Sequence, residues 1–450
     1  IFPSNKSSNV RIIFVIFSYI SYLTMIDYKN QSVKDLLKLV FGAKWTFLLK
    51  QKLGYVQATI LRDMQTTSDS IVYLSRFIIS GTGLLIYLFF AINISPEVTL
   101  LTLLVGGAGV LLLFPFIRKN RDIFEKMIAV EKLISGYLIE NISGAKYIKS
   151  LTVENAATEK GGGLYNRMKN LHMKIVVFRS LLSNFMQPMA MIFISVLFYY
   201  QYKSPNFNLP AFIVTVYFIQ KIFTYLEGSQ AAFHSVNEQI PFLKNILSFR
   251  SELENNQENP GGSSPFEFQD SLHLKNIDFS YDEGSRVLAG VDIKIKKGQV
   301  VGLIGPSGAG KSSIADLLLK FLNPGKGEIL VDGVDINDIA LQDWRKNIGY
   351  VSQEVFLVND TIENNIRFYG ENISDEDIEN AAKLANASEF IERQKDGMKT
   401  VVGDRGVMLS GGQRQRIILA RILARNPSIL ILDEAKSALD NESELLIQKS

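Results

Sequence analysis

Nine contiguous residues limit what this chain can fold into more than any others. Gly305, Pro306, Ser307, Gly308, Ala309, Gly310, Lys311, Ser312 and Ser313 fit G-x-x-x-x-G-K-[ST], between an apolar run at 300–304 and a helical pattern at 313–321. Strand, glycine-rich loop and helix in that order are what a phosphate-binding loop requires. Glycines let the backbone curl until successive N–H groups point at phosphate oxygens, and a helix beginning at Lys311 brings its positive dipole end to the same place. Lys311 then reaches the β and γ phosphates of a nucleotide, and the Ser312 hydroxyl is placed to ligate Mg²⁺. The alternative, a chance glycine-rich turn, is opposed by both flanking elements.

Short strands are expected at 272–279, 291–295, 300–304 and 328–331, with helical stretches after them, so the chain beyond residue 265 reads as an α/β domain with a central sheet. Another apolar run, 429–432, ends in Asp433 and Glu434. Two carboxylates at the end of a buried strand are costly unless they are used. Asp433 is placed to hold Mg²⁺ through its water shell, and Glu434 to polarise an attacking water; the alternative is a pair of exposed acids at a strand end.

The residues before 251 have another character. A hydrophobic content of 47% and a mean hydropathy of +0.12 over 450 residues are high for a wholly soluble protein. Apolar runs at 98–117 and 180–202 have the length a bilayer-spanning helix needs, and 77–94, 209–226 and 11–26 follow, the fourth broken only by Lys221. Arg76, Arg118, Lys119, Arg121, Arg179 and Lys221 fall on one side if these spans alternate in direction, which makes that side cytoplasmic. The first span then enters from outside, and a chain opening on Ile1 without a signal peptide reads as a fragment lacking one earlier helix. The net charge of +3 points to neither nucleic acid nor an acidic partner, and the absence of cysteine excludes disulfides and thiolate metal sites.

The inner connections are long but helical. Ile123, Met127, Ile128, Leu133, Ile134, Leu138 and Ile139 recur at helical spacing among charges, as in an amphipathic helix projecting into the cytosol. Gly161, Gly162 and Gly163 predict a bend on the way back. Asn184 and Gln187, beside Pro188, either line a cavity or join helices by hydrogen bonds. SELENNQENPGGSSP, at 251–265, is polar and rich in Gly, Ser and Pro, as in a linker. The expected division is therefore a transmembrane domain over 1–250, a linker over 251–265 and a nucleotide-binding domain over 266–450: an all-α helical bundle followed by an α/β P-loop domain.

Further stretches carry a family resemblance. Leu409, Ser410, Gly411, Gly412 and Gln413 match the signature of ATP-binding-cassette (ABC) proteins; Gln353 in YVSQE resembles the Q-loop and Ser437 to Asp440 the D-loop; TVVGDRG, at 400–406, is similar to the exporter x-loop. Tyr281 falls where such proteins stack an aromatic on adenine, and in this order, after a helical membrane half, the motifs resemble an exporter-type half-transporter. The resemblance implies ATP and Mg²⁺ as cofactors, Gln353 beside the metal and the reacting phosphate, and a second half-transporter, identical or related. The signature of one subunit then closes on ATP held by the other. On its own terms, Ser410 with the following N–H groups at a helix start is a second anion site. Lys436 stands where a small residue is usual and Asp404 where Glu is usual; the family's switch histidine has no counterpart before Ser450, and His172, His234 and His273 are expected in ordinary surface or packing roles. On this reading the chain binds ATP but turns it over poorly.

The sequence thus predicts ATP-driven export across a plasma (inner) membrane by alternating access, with the nucleotide domain cytoplasmic and no nucleic-acid partner. Lipid, peptide or hydrophobic compound all suit an uncharged cavity. An ATP-gated channel or regulatory subunit on the same scaffold is the rival, and a soluble ABC ATPase is opposed by the two clean spans at 98–117 and 180–202.

Overall fold

The computed structural model describes residues 5–203, 205, 207–281 and 286–433, and their side chains apart from 5–14, 113–114, 116–120 and 182–183. The chain forms two units, divided between Gln257 and Glu258.

The first unit is helical: α1 (Asn5–Phe41), α2 (Met64–Ile94), α3 (Pro96–Ser143), α4 (Glu154–Asn184), α5 (Met186–Tyr202) and α6 (Leu209–Asn255), with shorter helical pieces between α1 and α2 and between α3 and α4. At 1.5 Å per residue the 47 residues of α6 reach about 70 Å, roughly twice a bilayer's hydrocarbon thickness. The long helices must therefore leave the lipid and continue in water. Among the described residues, stretches Leu53–Ile94, Glu154–Tyr202 and Leu209–Asn255 are long and apolar enough to cross a membrane, and Pro96–Leu112 is a shorter apolar helix. The span expected at 11–26 lies within α1, partly where side chains are not described.

Helices α2 and α6 run antiparallel, since Gly83 meets Tyr225, Ser80 meets Gly228 and Asp63, just before α2, meets Asn245. Glycine is needed at 83: a Cβ there would stand 2.2 Å from the Tyr225 ring. The amphipathic stretch of α3 buries Ile123, Phe124, Met127 and Ile128 against Ile175 of α4 and Phe242 of α6, while Leu133 and Leu138 stay exposed. Gly161–Gly163 does not bend the chain: all three lie inside α4, where Gly161 is buried against the Tyr137 ring of α3. A row of small residues lets helices approach as readily as it breaks one. The reversal comes at Gly144 and at 151–153, where Thr152 takes a φ of +55°. Gln187 joins helices, donating to Glu227 of α6 at 3.0 Å, and Asn184 bonds back to Ser180 O at 2.8 Å. His234 is buried with Glu238, whose other oxygen accepts from Arg179 at 2.6 Å; His273 pairs with Asp292, and His172 is exposed.

The polar stretch at 251–265 is ordered along its length. Its first five residues complete α6. From Glu258 onward it is stitched to the nucleotide-binding unit: Leu341 N donates to Pro260 O at 2.8 Å, Gly262 N to Asn337 O at 3.0 Å and Ser264 N to Asp338 O at 2.9 Å, and Arg345 holds both oxygens of Glu258 at 2.7 and 2.8 Å. The glycines serve close approach, since a Cβ on Gly262 would lie 2.1 Å from Asp338 O and Gly261 has a φ of +81°.

In the second unit, β1 (Ser271–Ser280), β2 (Arg286–Lys296), β3 (Lys326–Val331) and β4 (Val334–Asp335) form an antiparallel sheet in the order β2-β1-β3-β4; β5 (Ile348–Val351) and β6 (Ile429–Leu432) form a separate parallel pair. The strands of this α/β unit thus fall into two sheets among the described residues. The run 300–304 is not a strand, with Val300 93% and Ile304 100% exposed. Apolar composition supplies the propensity for a strand, but a strand exists only where a neighbour takes its hydrogen bonds, and 300–304 pairs with none of the six described strands. Helix α7 (Lys311–Leu318) packs Leu317 and Leu318 into the sheet's core, where Trp344 is fully buried with its Nε1 donating to Leu318 O at 2.6 Å. A second core surrounds α8 (Gly411–Leu423).

Candidate nucleotide site

The phosphate loop is built by two left-handed glycines, Gly308 at φ +82° and Gly310 at φ +86°. Gly310 is doubly required, because a Cβ there would come 2.7 Å from the Leu288 side chain. Ala309 N closes the turn on Pro306 O at 3.2 Å, and α7 starts at Lys311. The Lys311 ammonium folds back over the loop, donating to Gly305 O and Pro306 O at 2.9 Å each. Loop, helix start and cation are therefore brought together without the strand expected before them, with Ser307 and Ser312 exposed and Ser313 buried. Tyr281 follows β1; its ring stands edge-on to Phe279, 4.9 Å between centroids, and its hydroxyl lies 3.0 Å from Ser313 Oγ.

Asp433 extends the β5–β6 ladder, donating its N–H to Val351 O at 2.9 Å. Alternation puts its side chain on the face of Tyr350 and Ile431, towards α7. Burial, then the nearby Asp433, raise the Asp316 carboxyl, and burial followed by both acids pushes the Tyr350 phenol up to about 12. Asp316 lies one helical turn after Ser312, so negative potential gathers beside the loop. Hydroxyl and carboxylate oxygens are the hard donors Mg²⁺ prefers, and among the described residues no three His, Cys, Asp or Glu side chains stand close enough to hold an ion alone. A cation here would draw further oxygens from phosphate and water. Gln353 is exposed, two residues beyond β5. Glu434, Lys436 and the D-loop stretch 437–440 lie outside the described residues.

At the signature, Ser410 caps α8 in a capping box: its Oγ accepts from Gln413 N at 3.3 Å while Gln413 Oε1 accepts from Ser410 N at 2.9 Å. The hydroxyl's own proton remains available to an outside oxygen, next to the amides of Gly411 and Gly412. The sequence anticipated an anion site there, but not that Gln413 is committed to the cap.

Arg421 and Asn365 were not singled out in the sequence. Arg421 is 8% exposed; its Nε donates to Asn365 O at 2.7 Å, Nη1 to Phe356 O at 2.8 Å and Nη2 to Asn365 Oδ1 at 3.1 Å, with the guanidinium 4.1 Å from the Phe368 ring centroid. Burial, then Arg425, bring its pKa down to about 10. Asn365, fully buried, in turn accepts from Val358 N at 3.0 Å. The segment after Gln353 is thus pinned to the signature helix. The available signal was an arginine set among Ile417, Ile418, Ala420 and Ile422 on a helix that buries them.

Comparison with known proteins places both units. The family model for the ABC transporter transmembrane region matches residues 9–223, and that for the ABC transporter matches 288–437. The chain is 33% identical over 413 residues to an ATP-dependent lipid A-core flippase of Vibrio vulnificus (strain YJ016), covering 89% of this chain and 70% of that protein. Multidrug resistance protein pgp-1 of Caenorhabditis elegans is 47% identical over 191 residues, 42% of this chain and 14% of that one. A solved structure of a bacterial Atm1-family ABC exporter with ATP bound shares the fold, with a TM-score of 0.84 at 24% identity over 98% of this chain and 77% of that one.

Proposed function

This chain belongs to the ABC transporter family as an exporter-type, ATPase-type half-transporter, and from that premise we propose that it pairs with a second half-transporter, identical or related, to move an amphipathic, lipid-like substrate outward by alternating access. The observation that carries this reading is one chain holding both a helical membrane unit and a phosphate loop whose Lys311 already closes over Gly305 and Pro306. The lipid class follows the flippase relatives; peptide and other hydrophobic compounds are the alternatives.

Nucleotide would lie with its phosphates in the cradle of Gly305, Gly308 and Gly310, its β and γ phosphates at Lys311 and its base on the open face of Tyr281. Ser312, Asp433 and Gln353 would hold Mg²⁺, which neutralises charge on the phosphates when bound. Glu434 takes the proton of the attacking water. Ser410, Gly411 and Gly412 of one subunit then donate to the γ phosphate held by the other, so that ATP draws two nucleotide units together and hydrolysis frees them. The protein is an integral multi-pass membrane protein, with the plasma (inner) membrane as its proposed site and the nucleotide unit in the cytoplasm.

Ser410→Arg tests the shared site. In the full chain it should abolish ATP-dependent association of nucleotide units, followed by cross-linking, while ATP affinity of the single chain holds. Loss of the helix cap costs about 1 kcal/mol, so Ser410→Asn, which keeps a cap but no hydroxyl, serves as control and should impair association as well. An equal fall of affinity and association would put the signature in its own subunit's site.

A further inference from the structure

We infer that Ser313 is a positioning residue for the adenine platform, its hydroxyl fixing Tyr281 before any base arrives, rather than a phosphate contact. This rests on the nucleotide reading above and assigns one loop residue a different task. Ser313 is 4% exposed and turned inward from α7, and the hydrogen bond it makes is to Tyr281 Oη at 3.0 Å, across 32 residues of chain. Phe279 holds the same ring from the side, 4.9 Å away and 81° inclined. Held at the edge by β1 and at the hydroxyl by α7, the ring still leaves much of itself open, with Tyr281 57% exposed. A stacking surface needs that combination: one face free and the rotamer already chosen, so that binding a base costs less side-chain freedom.

The consequence is a separation between base and phosphate recognition. A residue contacting phosphate affects every triphosphate alike; one acting through Tyr281 affects only ligands that carry a base. In the full chain, Ser313→Ala should weaken ATP binding about 3- to 10-fold, the equivalent of one lost hydrogen bond, and leave inorganic tripolyphosphate, measured by competition at the same site, unchanged. Tyr281→Phe, which keeps the ring, should match it. The double variant should be no worse than either single one, since both break the same bond, and Ser313→Thr should restore ATP affinity. Equal weakening of ATP and tripolyphosphate would make Ser313 a phosphate ligand and overturn the proposal, as would unchanged or tighter ATP binding by Ser313→Ala. Lys311→Ala keeps the two levels apart: it should weaken both ligands whatever Ser313 does, and if it weakens neither, the nucleotide reading itself has failed.

Discussion

Lys311→Ala is expected to lower ATP affinity about a hundredfold or more while leaving the helical unit folded. Lys311 makes two hydrogen bonds to loop carbonyls, with Gly305 and Pro306, and these hold its ammonium over the loop that Gly308 and Gly310 shape. In the proposed complex the ammonium gives one hydrogen bond to each of the β and γ phosphates; charge-assisted hydrogen bonds contribute about 1.5–3 kcal/mol each, so losing those two costs at least about 3 kcal/mol, and every 1.4 kcal/mol is tenfold. Calorimetric titration of ATP into both proteins, with circular dichroism to confirm helix content, measures this; affinity within a factor of about two of the parent would remove the phosphate-loop assignment.

Arg421→Ala should destabilise the nucleotide-binding unit by about 3 kcal/mol or more. Three hydrogen bonds and a stacked ring are lost together, and the buried Asn365 main-chain carbonyl is left without its donor, a stranded group costing about 1–3 kcal/mol. Arg421→Lys should recover little, because one ammonium cannot reproduce a planar fork that serves two backbone carbonyls and an amide oxygen. Trp344, fully buried in this unit, reports unfolding by its fluorescence in a chain carrying Trp45→Phe. A urea midpoint unchanged by Arg421→Ala would mean that the network is ornamental. A lower midpoint with full ATP affinity at low urea is the expected pattern, since Arg421 touches the segment after Gln353 and not the phosphate loop.

Chemistry that is contiguous in sequence was legible; chemistry assembled across distance was not. The phosphate loop could be read because its glycines, lysine and serines are neighbours, and the fused membrane and ABC units could be read because the motifs keep a fixed order. The Arg421 network escaped because its partners lie 56 and 65 residues away. Composition misled where one residue type has two uses. Gly161 was read as part of a bend and Gly262 as part of a linker, yet each is small so that a neighbour can come close, the Tyr137 ring in one case and the Asp338 carbonyl in the other. The apolar run at 300–304 looked like a strand because hydrophobicity is visible in a sequence and strand pairing is not. At Ser313 the motif assigned the residue type correctly while the bond to Tyr281 depends on where β1 ends.

The central claim is that ATP drives outward movement through the membrane unit. Its most direct test is to reconstitute the full chain, with its partner where the pair is unlike, into phospholipid vesicles carrying a short-chain fluorescent lipid, add ATP on the side of the nucleotide units, and follow by dithionite quenching which leaflet the label occupies. The account predicts net movement of label away from the nucleotide side, dependent on ATP and lost in both Lys311→Ala and Glu434→Gln. Label that equilibrates between leaflets without ATP, equally in both directions and unchanged by Lys311→Ala, would contradict it.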